Sequence, residues 1–146
     1  MNNIGYWSSD KAGLPCFEYT GNIPYAAKLD NGTDVKLPQD PWFLLGNYRF
    51  TLFTHISGEY ELISGQRSWA RVNQGKTKNS GVNSSVVVIN GKEYPLTGMD
   101  SLAADSEKCK RIFGCGFANY AYDIDGIGVN RNLSVKPSTT IYNGAS

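Results

Sequence analysis

The chain has 146 residues, 40% hydrophobic and 18% charged, a composition typical of one folded globular domain rather than of two domains or a disordered segment. Fourteen basic and thirteen acidic residues leave a net charge of +1, so charge gives no reason to expect nucleic acid or an anionic membrane as a partner. No apolar run approaches the roughly 20 residues of a membrane helix, and the first residues lack the layout of a signal peptide, which together predict a cytoplasmic protein.

Strands and turns dominate the predicted elements, because the chain carries 16 Gly, nine Tyr and six Phe. The apolar run Pro41–Leu45 predicts a buried strand or the entry to one. Alternation from Arg49 to Ile56 predicts the next strand, and Tyr60 with Leu62 continues the pattern in the one after. The strand predicted from Arg49 to Ile56 carries Phe50, Leu52, Thr54 and Ile56 on one face and Arg49, Thr51, Phe53 and His55 on the other. Because Phe53 joins the second set, we expect neither face to be wholly exposed to water.

Two hairpins are predicted further along the chain. Asn90-Gly91 between the runs of Ser84–Leu96, and Asp125-Gly126 after Phe117–Ile124, are dipeptides that tolerate the positive φ angles of a type I′ turn. The intervening segment Gly98–Lys110 is the one plausible helical turn. The pattern predicts an all-β fold, an antiparallel β-sandwich, in which residues 1–146 form one domain or the N-terminal portion of a larger one.

The residues do not indicate a catalytic centre or a metal site. His55 is the single histidine, and it lies in an alternating strand, so we expect a structural or edge-facing side chain. Three cysteines are an odd number, and the spacing of Cys109 and Cys115 is not that of a zinc site, so we expect buried free thiols. Gly114-Cys115-Gly116 precedes a strand rather than a helix, which excludes a phosphate-binding loop.

Paired carboxylates for glycoside hydrolysis are harder to exclude from sequence, because the partners meet only in space. Solvated or turn-forming side chains are the preferred interpretation of the available acids. These are Asp100, Asp105, Asp123, Asp125, Glu59, Glu61 and Glu93.

Binding of a sugar is the chemistry that the sequence favours. Aromatic rings stack on the C–H faces of sugars, and neighbouring Arg, Asn and Gln side chains bind the hydroxyls. The candidates are Trp7, Trp42, Trp69, Tyr48, Arg49, Gln66 and Arg71, of which we select Arg49, Gln66, Trp69 and Arg71 as the substrate-binding set. The alternative is that the three tryptophans fill the core or pack against another domain.

Several motifs resemble the N-terminal β-sandwich of glycoside phosphorylases of the cellobiose and chitobiose phosphorylase type, which are related to cyclic β-1,2-glucan synthases. The matching elements are Gly46-Asn47-Tyr48-Arg49, Ser57-Gly58-Glu59-Tyr60, Arg67-Ser68-Trp69-Ala70-Arg71, the opening Ile4-Gly5-Tyr6-Trp7 and the hairpin Tyr122–Pro137. The chain departs from the family in the order Arg-x-Trp-x-Arg of the third motif, and in Ser8-Ser9-Asp10, which replaces an acidic pair.

The resemblance implies a supersandwich-like accessory domain that supports a catalytic (α/α)₆ barrel, forms a homodimer and serves an enzyme acting on β-linked gluco-oligosaccharides. In that family the barrel supplies the general acid and binds inorganic phosphate as the co-substrate, and no other cofactor is implied. This chain has no barrel, so we expect it to be non-catalytic alone. A free-standing carbohydrate-binding module and a structural interaction domain remain the alternatives.

Overall fold

The computed structural model describes residues 4–21, 42–47, 50–64, 70–71, 84–98 and 100–136, and this part of the chain is all-β with antiparallel sheets, as the sequence predicts. In chain order the strands are β1 (Gly5–Ser9), β2 (Pro15–Tyr19), β3 (Trp42–Gly46), β4 (Phe50–His55), β5 (Tyr60–Ser64), β6 (Ala70–Arg71), β7 (Val86–Ile89), β8 (Lys92–Pro95), β9 (Cys109–Gly114), β10 (Phe117–Ile124) and β11 (Ile127–Ser134). They form a five-stranded sheet ordered β1-β2-β9-β10-β11, a four-stranded sheet ordered β3-β4-β5-β6, and the hairpin β7–β8.

Both predicted hairpins are confirmed. Asn90 and Gly91 have φ of 52° and 78°, and Asp125 and Gly126 have φ of 52° and 82°, so each pair supplies the two left-handed residues of a type I′ turn. The turns set the β7–β8 and β10–β11 registers. In β11, Arg131 and its apolar neighbours two residues away are half-buried, while the residues between them are exposed.

The hairpin β1–β2 was not predicted from sequence. Its five-residue connection is organised by Asp10, whose carboxylate accepts the amides of Ala12 and Leu14 at 2.8 and 2.9 Å. Gly13, with φ of 79°, supplies the left-handed residue before the second strand begins. A short polar segment therefore closes a turn that carries no Asn-Gly or Asp-Gly signal.

The segment between the two predicted hairpins differs partly from expectation. The helical turn is confirmed as one 3₁₀ turn, Leu102–Ala104, capped by the Ser101 hydroxyl. Strand β9 was missed, however, and Cys115-Gly116 forms the tight turn between β9 and β10 rather than a lead into a single strand. Gly116 makes this turn possible by adopting φ of 81°.

The two larger sheets pack face to face as a sandwich. Phe43 of β3 stacks on Phe113 of β9 with ring centroids 3.7 Å apart, and Tyr120 of β10 meets Phe113 edge-on at 5.9 Å. In β4 the inward Leu52 and Thr54 are buried, and on the other face Phe53 is half-buried, which confirms that neither face is fully solvated.

The strand predicted around Pro41–Leu45 is present as β3, but it is buried on one face only. β3 belongs to a sheet that packs one face on the five-stranded sheet, so its side chains meet the core on that face. Leu45 is buried and Phe43 half-buried on that face, whereas Leu44 is 63% exposed on the other.

Candidate functional site

The substrate-binding set selected from sequence is not tested by the structure. Arg49, Gln66 and Trp69 lie outside the described residues, as does Tyr48. Arg71 belongs to β6, where its backbone pairs with Ile63 at the edge of the four-stranded sheet. These assignments therefore stay predictions.

Two of the three tryptophans are described, and neither is a core residue. Trp7 is 74% exposed and Trp42 is 43% exposed, so the interpretation in which all three fill the core is wrong for these two. Trp42 lies on the outer face of its sheet, 5.0 Å from the His55 ring. Trp7 meets the ring of Phe17 edge-on at 5.3 Å, and Phe17 pairs in turn with Phe113 on β9. The aromatic row of the core thus continues to the solvent at strand β1.

The densest polar cluster among the described residues is His55, Ser57 and Glu59, in the turn between β4 and β5. The Ser57 hydroxyl lies 2.8 Å from His55 Nδ1 and donates to the Glu59 carboxylate at 3.0 Å. The Ser57 amide also donates to Nδ1 at 3.1 Å, so this ring nitrogen acts as an acceptor. His55 is 3% exposed and Ser57 is sealed completely. Of the two positions predicted for His55, structural or edge-facing, its burial agrees with the first.

This polar turn is anchored to the facing sheet by Tyr120. The Tyr120 hydroxyl donates to the His55 carbonyl at 2.6 Å. The Thr54 hydroxyl lies 2.6 Å from the Tyr120 hydroxyl oxygen. Tyr120 is fully buried, and burial raises its pKa well above the ordinary 10.0, so it stays a neutral donor. A hydrogen-bonded link through the core therefore fixes where the turn lies against the five-stranded sheet.

Arg131 makes a second link at the same place. Its Nη1 donates to the Gly58 carbonyl at 2.7 Å, and its guanidinium lies over the rings of Tyr60 at 5.8 Å and Tyr120 at 5.6 Å. Gly58 has φ of 83°, and an added Cβ would lie 3.1 Å from the Leu96 carbonyl oxygen, so this position favours glycine. We call the contacts of Tyr120 and Arg131 with residues 54–60 the inter-sheet junction.

The inter-sheet junction brings together motifs that are far apart in the sequence. Arg131 comes from the hairpin motif, and Gly58 and Tyr60 come from the Ser-Gly-x-Tyr motif. The Gly-Asn motif joins the same hairpin further along, because the Asn47 side chain donates to the Lys136 carbonyl at 2.9 Å. Residues of these three sequence motifs therefore help to pack one sheet on the other.

Arg111 was not singled out from sequence, although it is the largest fully buried side chain among the described residues. It lies between Cys109 and Phe113 on the inward face of β9, an alternation that could have revealed it. Its guanidinium donates to the Ala103 and Gly21 carbonyls at 2.9 and 2.6 Å, and it lies over the Tyr19 ring. In the described part of the chain its Nε has no hydrogen-bond partner, and burial lowers its pKa.

Burial and hydrogen bonding describe the positions of the three cysteines and of two candidate carboxylates, Asp123 and Asp125. Cys16 and Cys109 are buried as expected, and burial raises the pKa of Cys109 to about 12, so it is a poor nucleophile at neutral pH. Cys115 is exposed, contrary to expectation, because it lies in the β9–β10 turn. Asp123 accepts the Gly126 amide within its own hairpin turn, and Asp125 accepts the Tyr94 hydroxyl. Within the described ranges no cluster of three or more His, Cys, Asp or Glu could hold a metal ion.

Two further findings concern similarity to known proteins and membrane-spanning helices. Comparison with protein-family models, with curated proteins and with solved structures finds no match. Among the described residues, no helix has both the length and the hydropathy required to cross a bilayer.

Proposed function

We propose that this chain is the non-catalytic accessory β-sandwich of a carbohydrate-active enzyme of the glycoside phosphorylase type, which acts on β-linked gluco-oligosaccharides. The observation that carries the proposal is the inter-sheet junction. There, residues of the Ser-Gly-x-Tyr and hairpin motifs contact one another inside a sandwich. Motif residues that pack two sheets together indicate a shared scaffold rather than a shared reaction centre.

The polar cluster in the β4–β5 turn supports a structural role. A nucleophilic serine needs a histidine that can take its proton, and access for a substrate. Here the histidine atom beside Ser57 already accepts the Ser57 amide, and Ser57 is 0% exposed. The cluster stabilises a turn on which Tyr120 and Arg131 converge.

A direct test is association with a catalytic barrel. The (α/α)₆ barrels of a cellobiose phosphorylase, a chitobiose phosphorylase and a cyclic β-1,2-glucan synthase would each be expressed without their own sandwiches and mixed with the purified chain. Sedimentation velocity should detect a complex with at least one barrel. Failure to bind any of the three contradicts the proposal.

A free-standing carbohydrate-binding module is the second candidate, and the exposure of Trp7 favours it. An exposed indole beside a row of aromatic rings can stack on a sugar. Calorimetry with cello- and sophoro-oligosaccharides separates the two candidates. The module predicts heat of binding that Trp7→Ala abolishes without unfolding the protein, whereas the scaffold predicts no heat in either protein.

A further inference from the structure

Among the described strands, β1 is an edge of the five-stranded sheet, and its own sequence carries none of the usual edge protection. Edge strands of natural proteins usually carry charged residues, proline or a bulge, which prevent pairing with another strand. β1 has the sequence GYWSS, with no charge and no proline, and pairs with β2 in an unbroken register of five residues. It also exposes Tyr6 by 49% and Trp7 by 74%.

Alternate residues of β1 direct their backbone N–H and C=O groups away from β2, toward the open edge of the sheet. At one end of the ladder the Ile4 carbonyl accepts an amide from just beyond β2 at 2.9 Å, and at the other end the Asp10 amide donates to a carbonyl just before β2 at 2.8 Å. In an antiparallel ladder, hydrogen-bonded residues alternate with residues that face outward. Even-numbered residues therefore bond to β2, and Gly5, Trp7 and Ser9 direct their N–H and C=O groups toward the open edge.

We propose that β1 pairs antiparallel with β1 of a second copy of this chain, around a two-fold axis at Trp7. In this register Trp7 lies opposite Trp7 of the second copy, and Gly5 lies opposite its Ser9. These are the three residues whose backbone groups face outward, so every outward N–H and C=O gains a partner. Such a self-complementary edge fits a two-fold dimer, in which both subunits use the same surface.

The side chains agree with the same register. Phe113, Phe17 and Trp7 are cross-strand neighbours on the inner face of the sheet. Pairing at the two-fold axis would continue this row into the second copy and cover both exposed indoles, at the distance where cross-strand aromatic pairs stabilise a sheet. β1 itself carries no charged side chain that would repel the same strand of a second copy.

The size of the contact sets the expected affinity. A large aromatic side chain buries about 150–250 Å². The area buried by a five-residue ladder with two tryptophans is therefore below the roughly 1,200 Å² of standard stable interfaces. We therefore expect a reversible equilibrium between monomer and dimer that depends on concentration. The pairing does not depend on the proposed function.

Sedimentation velocity of the purified chain, from about 10 μM to about 1 mM, tests the proposal with three variants. Ser9→Pro removes one outward N–H and leaves the bonds to β2 intact. Trp7→Lys places two like charges opposite each other at the axis. Leu44→Lys is the matched control, because Leu44 is also a mostly exposed apolar residue and lies on an edge strand of the other sheet. The first two variants should weaken dimerisation at least tenfold, and the control should leave it unchanged.

Amide hydrogen exchange of the unmodified protein gives a readout that does not depend on how the variants fold. Raising the concentration should slow exchange at Trp7 and Ser9, which face outward, and should leave Tyr6 and Ser8 unchanged. A monomer at every concentration, a dimer that survives Ser9→Pro, or exchange that slows equally at odd and even residues would overturn the proposal.

Discussion

Removing the hydroxyl of Tyr120 should weaken the sandwich by a predictable amount. In Tyr120→Phe the ring keeps its packing, and the His55 carbonyl and the Thr54 hydroxyl lose their contacts at 2.6 Å. Both groups keep another partner, because the His55 carbonyl still accepts the Gly58 amide and Thr54 can donate to the Glu59 carbonyl. The cost is therefore that of two hydrogen bonds and not of an unpaired group, about 1–3 kcal/mol.

Thermal unfolding measures this cost. At about 4 °C per kcal/mol for a domain of this length, the midpoint should fall by about 4–12 °C. Tyr94→Phe is the matched control, because its hydroxyl donates to Asp125 at the exposed end of a hairpin, where water replaces the lost partner. A midpoint for Tyr120→Phe within about 2 °C of the unmodified protein, or an equal loss in Tyr94→Phe, would refute the role assigned to the inter-sheet junction.

Three further predictions concern strain, pH and thiol chemistry. Gly58→Ala should destabilise the protein in urea more than Gly91→Ala, because both have positive φ but only Gly58 has a carbonyl 3.1 Å from the new Cβ; equal losses would contradict this. Burial raises the pKa values of Tyr120 and Tyr122, so their contribution is complete below the ordinary value of 10.0 and is lost as pH rises toward the folded values. Urea titrations should accordingly show a stability that falls above about pH 10, and a flat profile would argue against burial of these hydroxyls. A chromogenic disulfide reagent should modify Cys115 alone in the native protein and all three thiols in urea; modification of a second native thiol would show that the core opens.

Local signals in the sequence predicted part of this fold. Asn90-Gly91 and Asp125-Gly126 specify their turns through their own backbone preferences, so both hairpins and their registers could be read directly. The hairpin β1–β2 could not, because its turn depends on the Asp10 carboxylate accepting two amides, and GYWSS shows no alternation of apolar and polar residues.

Long-range contacts account for what sequence could not supply at the junction. The bond from Arg131 to the Gly58 carbonyl joins positions 73 residues apart, and nothing local in either segment indicates the other. Burial of Arg111 depends likewise on carbonyls of Ala103 and Gly21, which only the folded chain brings to it. The acceptors in both cases are backbone atoms, which leave no mark in the amino-acid pattern.

A phosphorolysis assay of the purified chain tests whether this sandwich is non-catalytic. Cellobiose and sophorose would be supplied with inorganic phosphate, and glucose 1-phosphate would be measured against a blank without protein. A sandwich whose His55, Ser57 and Glu59 serve only to hold a turn predicts no product above the blank. Saturable turnover that disappears in His55→Ala and Glu59→Gln, with both variants folded, would contradict the account.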